Sequence, residues 1–213
     1  MHGTIILRVS DLNLIETIPG PEYGDPYFHR DMMTYNNYLY ICHEMTGTNE
    51  GIQIIDLSTL PDSIRYVTNY NDQDALGEKA NTSHNLFIDK ETSTLLTVRK
   101  YYNGVRIISL VDPENPKNIS VIETPDVHDM FSKNDTIFIA EGWNGSFSIW
   151  DAKTDKINPK LITRVDVPSS GYVHSVWTTD DNNILMTAEE TSYKTIKIWD
   201  ISDMNDIELL GNY

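Results

Sequence analysis

Cysteine is all but missing from this chain: Cys42 is the only one among 213 residues. An internal disulfide and a thiolate zinc cluster are therefore both excluded. No run of eighteen apolar residues occurs, so no segment reads as a membrane-spanning helix. Basic residues are scarce, 16 against 32 acidic ones, for a formal charge of -16. Such a surface repels phosphate, which argues against nucleic acid as a partner. Also lacking are a phosphate-cradling glycine loop, a Gly-x-Ser-x-Gly elbow and a His-Glu-x-x-His helix. Neither a signal peptide nor a C-terminal anchor can be read at the ends. What is present, 39% hydrophobic and 23% charged residues, is the balance of a folded chain rather than a disordered one. The acidic excess serves solubility first; hard oxygen ligands for a divalent cation are its functional alternative.

One segment recurs. It reads Gly51-Ile-Gln-Ile-Ile-Asp56, Gly104-Val-Arg-Ile-Ile-Ser109, Gly145-Ser-Phe-Ser-Ile-Trp-Asp151 and Thr195-Ile-Lys-Ile-Trp-Asp200, with a degenerate copy around Gly3-Thr-Ile-Ile-Leu-Arg8. The matching positions 8, 56, 109, 151 and 200 lie 48, 53, 42 and 49 residues apart. Alternation of the Ile52/Ile54 kind makes each copy a strand. Turn pairs such as Asn103-Gly104 and Asn144-Gly145 introduce it, and another short apolar run follows. Upstream of each copy lies a further pair of strands, the first of which opens at Arg30, His84, His128 or His174.

Four antiparallel strands in about 48 residues, with no convincing helix, predict an all-β chain built of β-propeller blades. Complete blades are expected at 29–70, 84–124, 128–167 and 174–213, and the outer half of another at 1–20. That count leaves the ring incomplete: a fragment of a propeller, or an arc that needs a partner or associates with itself through its open edges.

The Trp-Asp pairs at 150–151 and 199–200 mimic a WD40 blade, but the Gly-His element of that family is missing. The chain instead resembles the LVIVD-repeat proteins of the choice-of-anchor B group. The carrying residues are His29-Arg30-Asp31-Met32, Glu50 to Pro61, Ser83-His84-Asn85-Leu86-Phe87-Ile88-Asp89, Val127-His128-Asp129 and Tyr172-Val-His174-Ser-Val-Trp177. His29 stands where that family tends to have Trp, which sets it apart from the other histidines. The resemblance implies an extracellular or cell-surface protein with no established activity.

In an antiparallel blade the start of strand one lies beside the end of strand two. Three columns should therefore converge at one mouth: Arg30, His84, His128 and His174; Asp31, Asn85, Asp129 and Ser175; and His43, Arg99, Glu141 and Glu189. Candidate ligand-binding residues are Arg30, Asp31, His43, Arg99, Asp129, Glu141, Glu189 and the neighbouring Trp143. His84, His128 and His174 are candidate ligands for a divalent metal, with Glu141 or Glu189 as a carboxylate ligand or base. The structural alternative is that these polar groups fasten one blade to the next.

The main functional expectation is a non-enzymatic binding module with a protein or glycan partner. The alternatives are a metal-dependent hydrolase using the histidine column, and a truncated propeller without independent function.

Overall fold

The computed structural model describes residues 3–25 and 29–213. It contains eighteen strands in five antiparallel sheets. Strands β1 (Gly3–Leu7) and β2 (Leu14–Pro19) form a two-stranded sheet. The first blade is β3 (Arg30–Tyr35), β4 (Tyr38–His43), β5 (Ile52–Asp56) and β6 (Arg65–Tyr70). The second is β7 (Leu86–Asp89), β8 (Thr94–Val98), β9 (Val105–Ser109) and β10 (Lys117–Ile122). The third is β11 (Asp129–Lys133), β12 (Thr136–Glu141), β13 (Ser146–Asp151) and β14 (Lys160–Asp166). The fourth is β15 (Val173–Thr178), β16 (Ile184–Glu189), β17 (Lys197–Asp200) and β18 (Glu208–Asn212). Each blade is a meander whose strands pair in chain order, as the repeat predicts. Among the described residues no helix is long and apolar enough to cross a membrane.

Glycine at the entrance of the third strand has a steric cause. Gly51 and Gly104 both have positive φ, and a Cβ at either would collide with a carbonyl oxygen of the fourth strand, that of Tyr70 or Ile122. Only glycine lets the two backbones approach there without strain.

The core lies between blades. Tyr40, Cys42 and Ile54 of the first pack on Leu86, Ile88 and Leu95 of the second. Leu96, Val98 and Ile107 then meet Met130, Ile137 and Ile139. Phe138, Ala140 and Ile149 meet Val176, Leu185 and Trp199. The two-stranded sheet covers the first blade through Ile18 and Ile6 against Leu39, Ile41 and Ile55. This stacking aligns β3, β7, β11 and β15 side by side as the innermost strands.

Equivalent positions differ at the ends of the arc. Tyr40, Leu96 and Phe138 are wholly buried, whereas Met186, at the same repeat position in the fourth blade, is 40% exposed. At the other end Met32 is 43% exposed, while its counterparts Leu86, Met130 and Val176 are buried. Burial rather than residue type should therefore set the cost of truncation. Leu96→Ala is expected to lose about 2–5 kcal/mol and Met186→Ala less than about 0.5 kcal/mol, read from urea unfolding of the isolated chain. A cost at Met186 equal to that at Leu96 would mean that the fourth blade's outer face is covered in solution.

Candidate active site

The inner strands all begin at one end of the arc, so residues just before or at their start are brought together. His29, His84, His128 and His174 form a continuous column. The ring centroids are 4.2 Å apart for His29 and His84, 4.4 Å for His84 and His128, and 3.8 Å for His128 and His174. Although the blade alignment places Arg30 opposite His84, it is the His29 ring that stacks there. Arg30 sends its guanidinium to the His29 carbonyl at 2.8 Å and to the Met45 sulfur at 3.2 Å.

Part of the column fastens blades. His29 Nε2 donates to the His84 carbonyl and His128 Nδ1 to the His174 carbonyl, both at 2.8 Å, because a carbonyl can only accept. Asp31 Oδ2 accepts from the Leu86 N–H at 3.0 Å, and Asn85 Nδ2 donates to the His128 carbonyl at 3.1 Å. Asp129 accepts the Met130 N–H at 2.9 Å. Burial pushes its carboxyl up to about 6, against the pull of that N–H.

The rest of the column is chemically poised. His84 Nε2 and His128 Nε2 are 2.8 Å apart. On its other side His84 places Nδ1 3.0 Å from Glu44 Oε2, off the line of a hydrogen bond. Glu44 Oε1 accepts from the Tyr102 hydroxyl at 2.7 Å. Burial alone would raise the Glu44 carboxyl, but His84 and Tyr102 hold it down at about 2, so it is a carboxylate at neutral pH. His128 is lowered to about 4, chiefly by burial and then by its imidazole neighbours. With Nδ1–H of His128 committed to a carbonyl, its Nε2 presents a lone pair. A proton must therefore lie between the two Nε2 atoms, since two lone pairs at that distance repel.

His174 closes the column and is the most accessible of its last three imidazoles. Its Nδ1 lies 2.9 Å from Ser175 Oγ, and its Nε2 is 3.9 Å from Glu190 Oε2, too far for a direct hydrogen bond. Burial lowers its basicity, with Glu190 partly opposing, so the imidazole is neutral near pH 7. These rings border an open cavity of about 950 Å³ that is also walled by Tyr102, Asp126, Trp143, Tyr172 and Glu190. Trp143 is 72% exposed and sits edge to face on Tyr172 at 5.0 Å.

The third column lies elsewhere. His43, Arg99, Glu141 and Glu189 are buried and face groups within or beside their own blades. Glu141 is held by Arg164 at 2.8 Å and Ser148 at 2.7 Å, and Glu189 by Lys197. Arg99 pairs with Asp74 at 2.9 Å. His43 accepts the Met45 N–H through Nδ1, and burial lowers it to about 4. Their repeated position made them look convergent, but a strand's last side chain can turn into the sheet as readily as toward the axis.

Sequence reading did not find Glu44, Tyr102, Asp126, Tyr172 or Glu190. All lie in connecting segments outside the aligned strands, where a period of 48 residues gives no register. The available signals were adjacencies: Glu44 follows His43, Glu190 follows Glu189, and Tyr172 stands two residues before His174.

His29, Glu44 and His84 also bring potential metal-ligand atoms within 4.8 Å of one another. The His29 and His84 rings, however, are stacked within 6° of parallel. Imidazole lone pairs lie in the ring plane, so one ion cannot lie in both planes. The two Nε2 atoms of His84 and His128, in rings inclined at 61°, lie at hydrogen-bond distance, closer than two nitrogens on one zinc ion.

No family model matches the chain, and no curated protein matches its sequence. Among solved structures, a functionally unknown protein from Desulfotomaculum acetoxidans superimposes with TM-score 0.68 and 11% identity, over 98% of this chain and 61% of that one. A candidate 6-phosphogluconolactonase from Bacteroides uniformis gives 0.70 and 10%, over 98% and 63%. The periplasmic gluconolactonase of Pseudomonas aeruginosa gives 0.65 and 10%, over 89% and 57%. This chain thus spans about three fifths of the length of these proteins.

Two expectations are corrected by these findings. The LVIVD resemblance is not supported by any family model, and the structural neighbours with a stated activity are lactonase-type propellers. The glycine that opens the third strand answers to backbone crowding within the blade at Gly51 and Gly104, so it misleads as a family mark. The binding-module expectation loses its basis with it, since two of these three neighbours carry lactonase names.

Proposed function

We propose that the histidine mouth is a hydrolase site that opens a lactone by adding water across its acyl C–O bond. The observation that carries this reading is the set of unlike imidazoles on one cavity. Neutral His174 stands beside a His84–His128 link that needs a proton and is backed by the Glu44 carboxylate. Groups whose environments push their protonation apart are the usual division of labour between base and acid. The names of two neighbours support the same class of reaction. The periplasmic neighbour supports a location outside the cytoplasm as part of the reading.

In this mechanism His174 Nε2 takes a proton from water as its oxygen attacks the lactone carbonyl carbon. The ring C–O bond then breaks, and the departing alkoxide takes the proton held between His84 and His128. The product is a hydroxy acid, and the proton on His174 returns to solvent or to the link. Each transfer is a general acid or base step. Trp143 and Tyr172 offer flat apolar walls that fix the substrate's ring.

The clustering of imidazoles with the Glu44 carboxylate also supports a second reading, in which a divalent cation takes the place of that proton and the two Nε2 atoms, 2.8 Å apart here, would have to move apart to bind it. Such an ion would supply Lewis-acid polarisation of the carbonyl. Activity abolished by chelator and restored by metal would select it.

The pH dependence tests the first reading. Only neutral His174 acts as a base, and burial lowers its basicity from the ordinary imidazole value of 6.5. The rate of glucono-δ-lactone opening is therefore expected to rise with pH and to level off through a midpoint below 6.5. An enzymatic rate that falls over that interval would contradict the role of His174.

A further inference from the structure

We propose that this mouth selects a neutral, polyhydroxylated lactone and discriminates against its phosphorylated counterpart. The proposal rests on the hydrolase reading above and narrows its substrate class. Among the described residues no lysine or arginine lines the cavity, whereas Asp126 and Glu190 do. Glu44 adds a third carboxylate behind the Tyr102 hydroxyl. Asp126 is fixed in place by accepting the Trp143 backbone N–H. The Tyr172 hydroxyl registers the combined field: it is pushed up to about 12, by burial first and then by Asp126, Glu190 and Glu44.

A phosphate would enter this site with close to two negative charges and meet no lysine or arginine among the cavity's described lining residues. Arg30, next to His29, directs its guanidinium at a backbone carbonyl and at Met45. Each carboxylate about 4 Å from a unit negative charge lowers affinity roughly fivefold even with the full screening of water. Two such carboxylates make the penalty on the order of tenfold or more. A neutral sugar-like ring meets none of this. Its hydroxyls find acceptors in Asp126 and Glu190 and partners in Asn85, Thr191 and Ser192. Its apolar face finds the exposed Trp143 ring.

The experiment is calorimetric binding of glucono-δ-lactam, a non-hydrolysable mimic, and of its 6-phosphate to the full chain. Hydrolysis of the two matching lactones is followed in parallel. Tighter binding of the neutral lactam by about tenfold or more is expected. The gap should narrow in 0.5 M salt and in Glu190→Gln, because a charge effect is screened and a steric one is not. Equal or tighter binding of the phosphate overturns the proposal, and the hydrolase reading survives if the phosphorylated lactone is opened. Preferential binding of the neutral lactam without turnover of either lactone supports the selectivity and overturns the hydrolase reading. Binding of neither overturns both.

Discussion

Asp74→Ala is expected to destabilise the chain by about 3–5 kcal/mol, a large part of the roughly 5–15 kcal/mol that holds an ordinary domain together. Asp74 sits in the connection between the first and second blades, with its side chain wholly buried. Its Oδ2 is 2.9 Å from Arg99 Nε and 3.2 Å from Arg106 Nε. Its Oδ1 accepts from the Leu76 and Glu78 N–H groups at 2.9 and 3.0 Å. Arg106 is itself fully buried, and burial lowers its basicity. Removing Asp74 leaves two guanidinium groups with Glu78 as the one carboxylate paired with them among the described residues, which costs far more than a lost attraction. The exposed pair of Arg65 and Glu114 provides the contrast, since its truncation should cost no more than about 1 kcal/mol. Urea unfolding of both variants beside the wild type checks the difference, and comparable losses would show that the buried network is not what ties these blades.

The largest catalytic effect is expected at His174. Replacement by asparagine keeps a polar group of similar reach near Ser175 but removes the base. The rate of lactone opening should fall about 10²–10⁴-fold. Because His174 is partly exposed, and its carbonyl rather than its ring accepts the His128 N–H, the fold should survive. An unchanged unfolding midpoint with the lost rate would separate chemistry from structure. A variant as active as the wild type would move the base elsewhere in the column.

The fold was legible because a blade writes itself into the chain twice. Period-two alternation marks each strand, and the return of Gly51, Gly104 and Gly145 marks three of the four complete blades, with Thr195 in the fourth. Both signals come from constraints that recur from blade to blade. The site was only half legible for the same reason. His84, His128 and His174 open aligned strands and could be placed at one mouth, but Glu44, Tyr102 and Glu190 lie in connecting segments whose lengths vary. Whether a polar side chain at a strand end faces the axis or its own blade is decided by its partner. Glu141 turns inward to Arg164 and Ser148, and Glu189 to Lys197. Those partners lie on strands three and four, so an alignment of strand two alone could not reveal them. His29 shows the converse: one residue out of register in the alignment, it still reaches the column by stacking on His84.

The proton link between His84 and His128 was beyond sequence altogether, since it depends on what each ring's other nitrogen touches. His128 Nδ1 is committed to the His174 carbonyl and His84 Nδ1 faces Glu44. Only that combination requires the proton between the two Nε2 atoms to sit on His84. It also explains why a column of histidines, which could serve merely to tie blades together, here does two jobs. Its backbone-directed nitrogens fasten the blades, and the remaining ones face each other and the cavity.

The most direct test is the initial rate of glucono-δ-lactone opening at pH 7, with the isolated chain set against spontaneous hydrolysis in the same buffer. The histidine-mouth account predicts a saturable acceleration that His174→Asn removes. A rate no faster than buffer at any substrate concentration, with the chain folded, would contradict it.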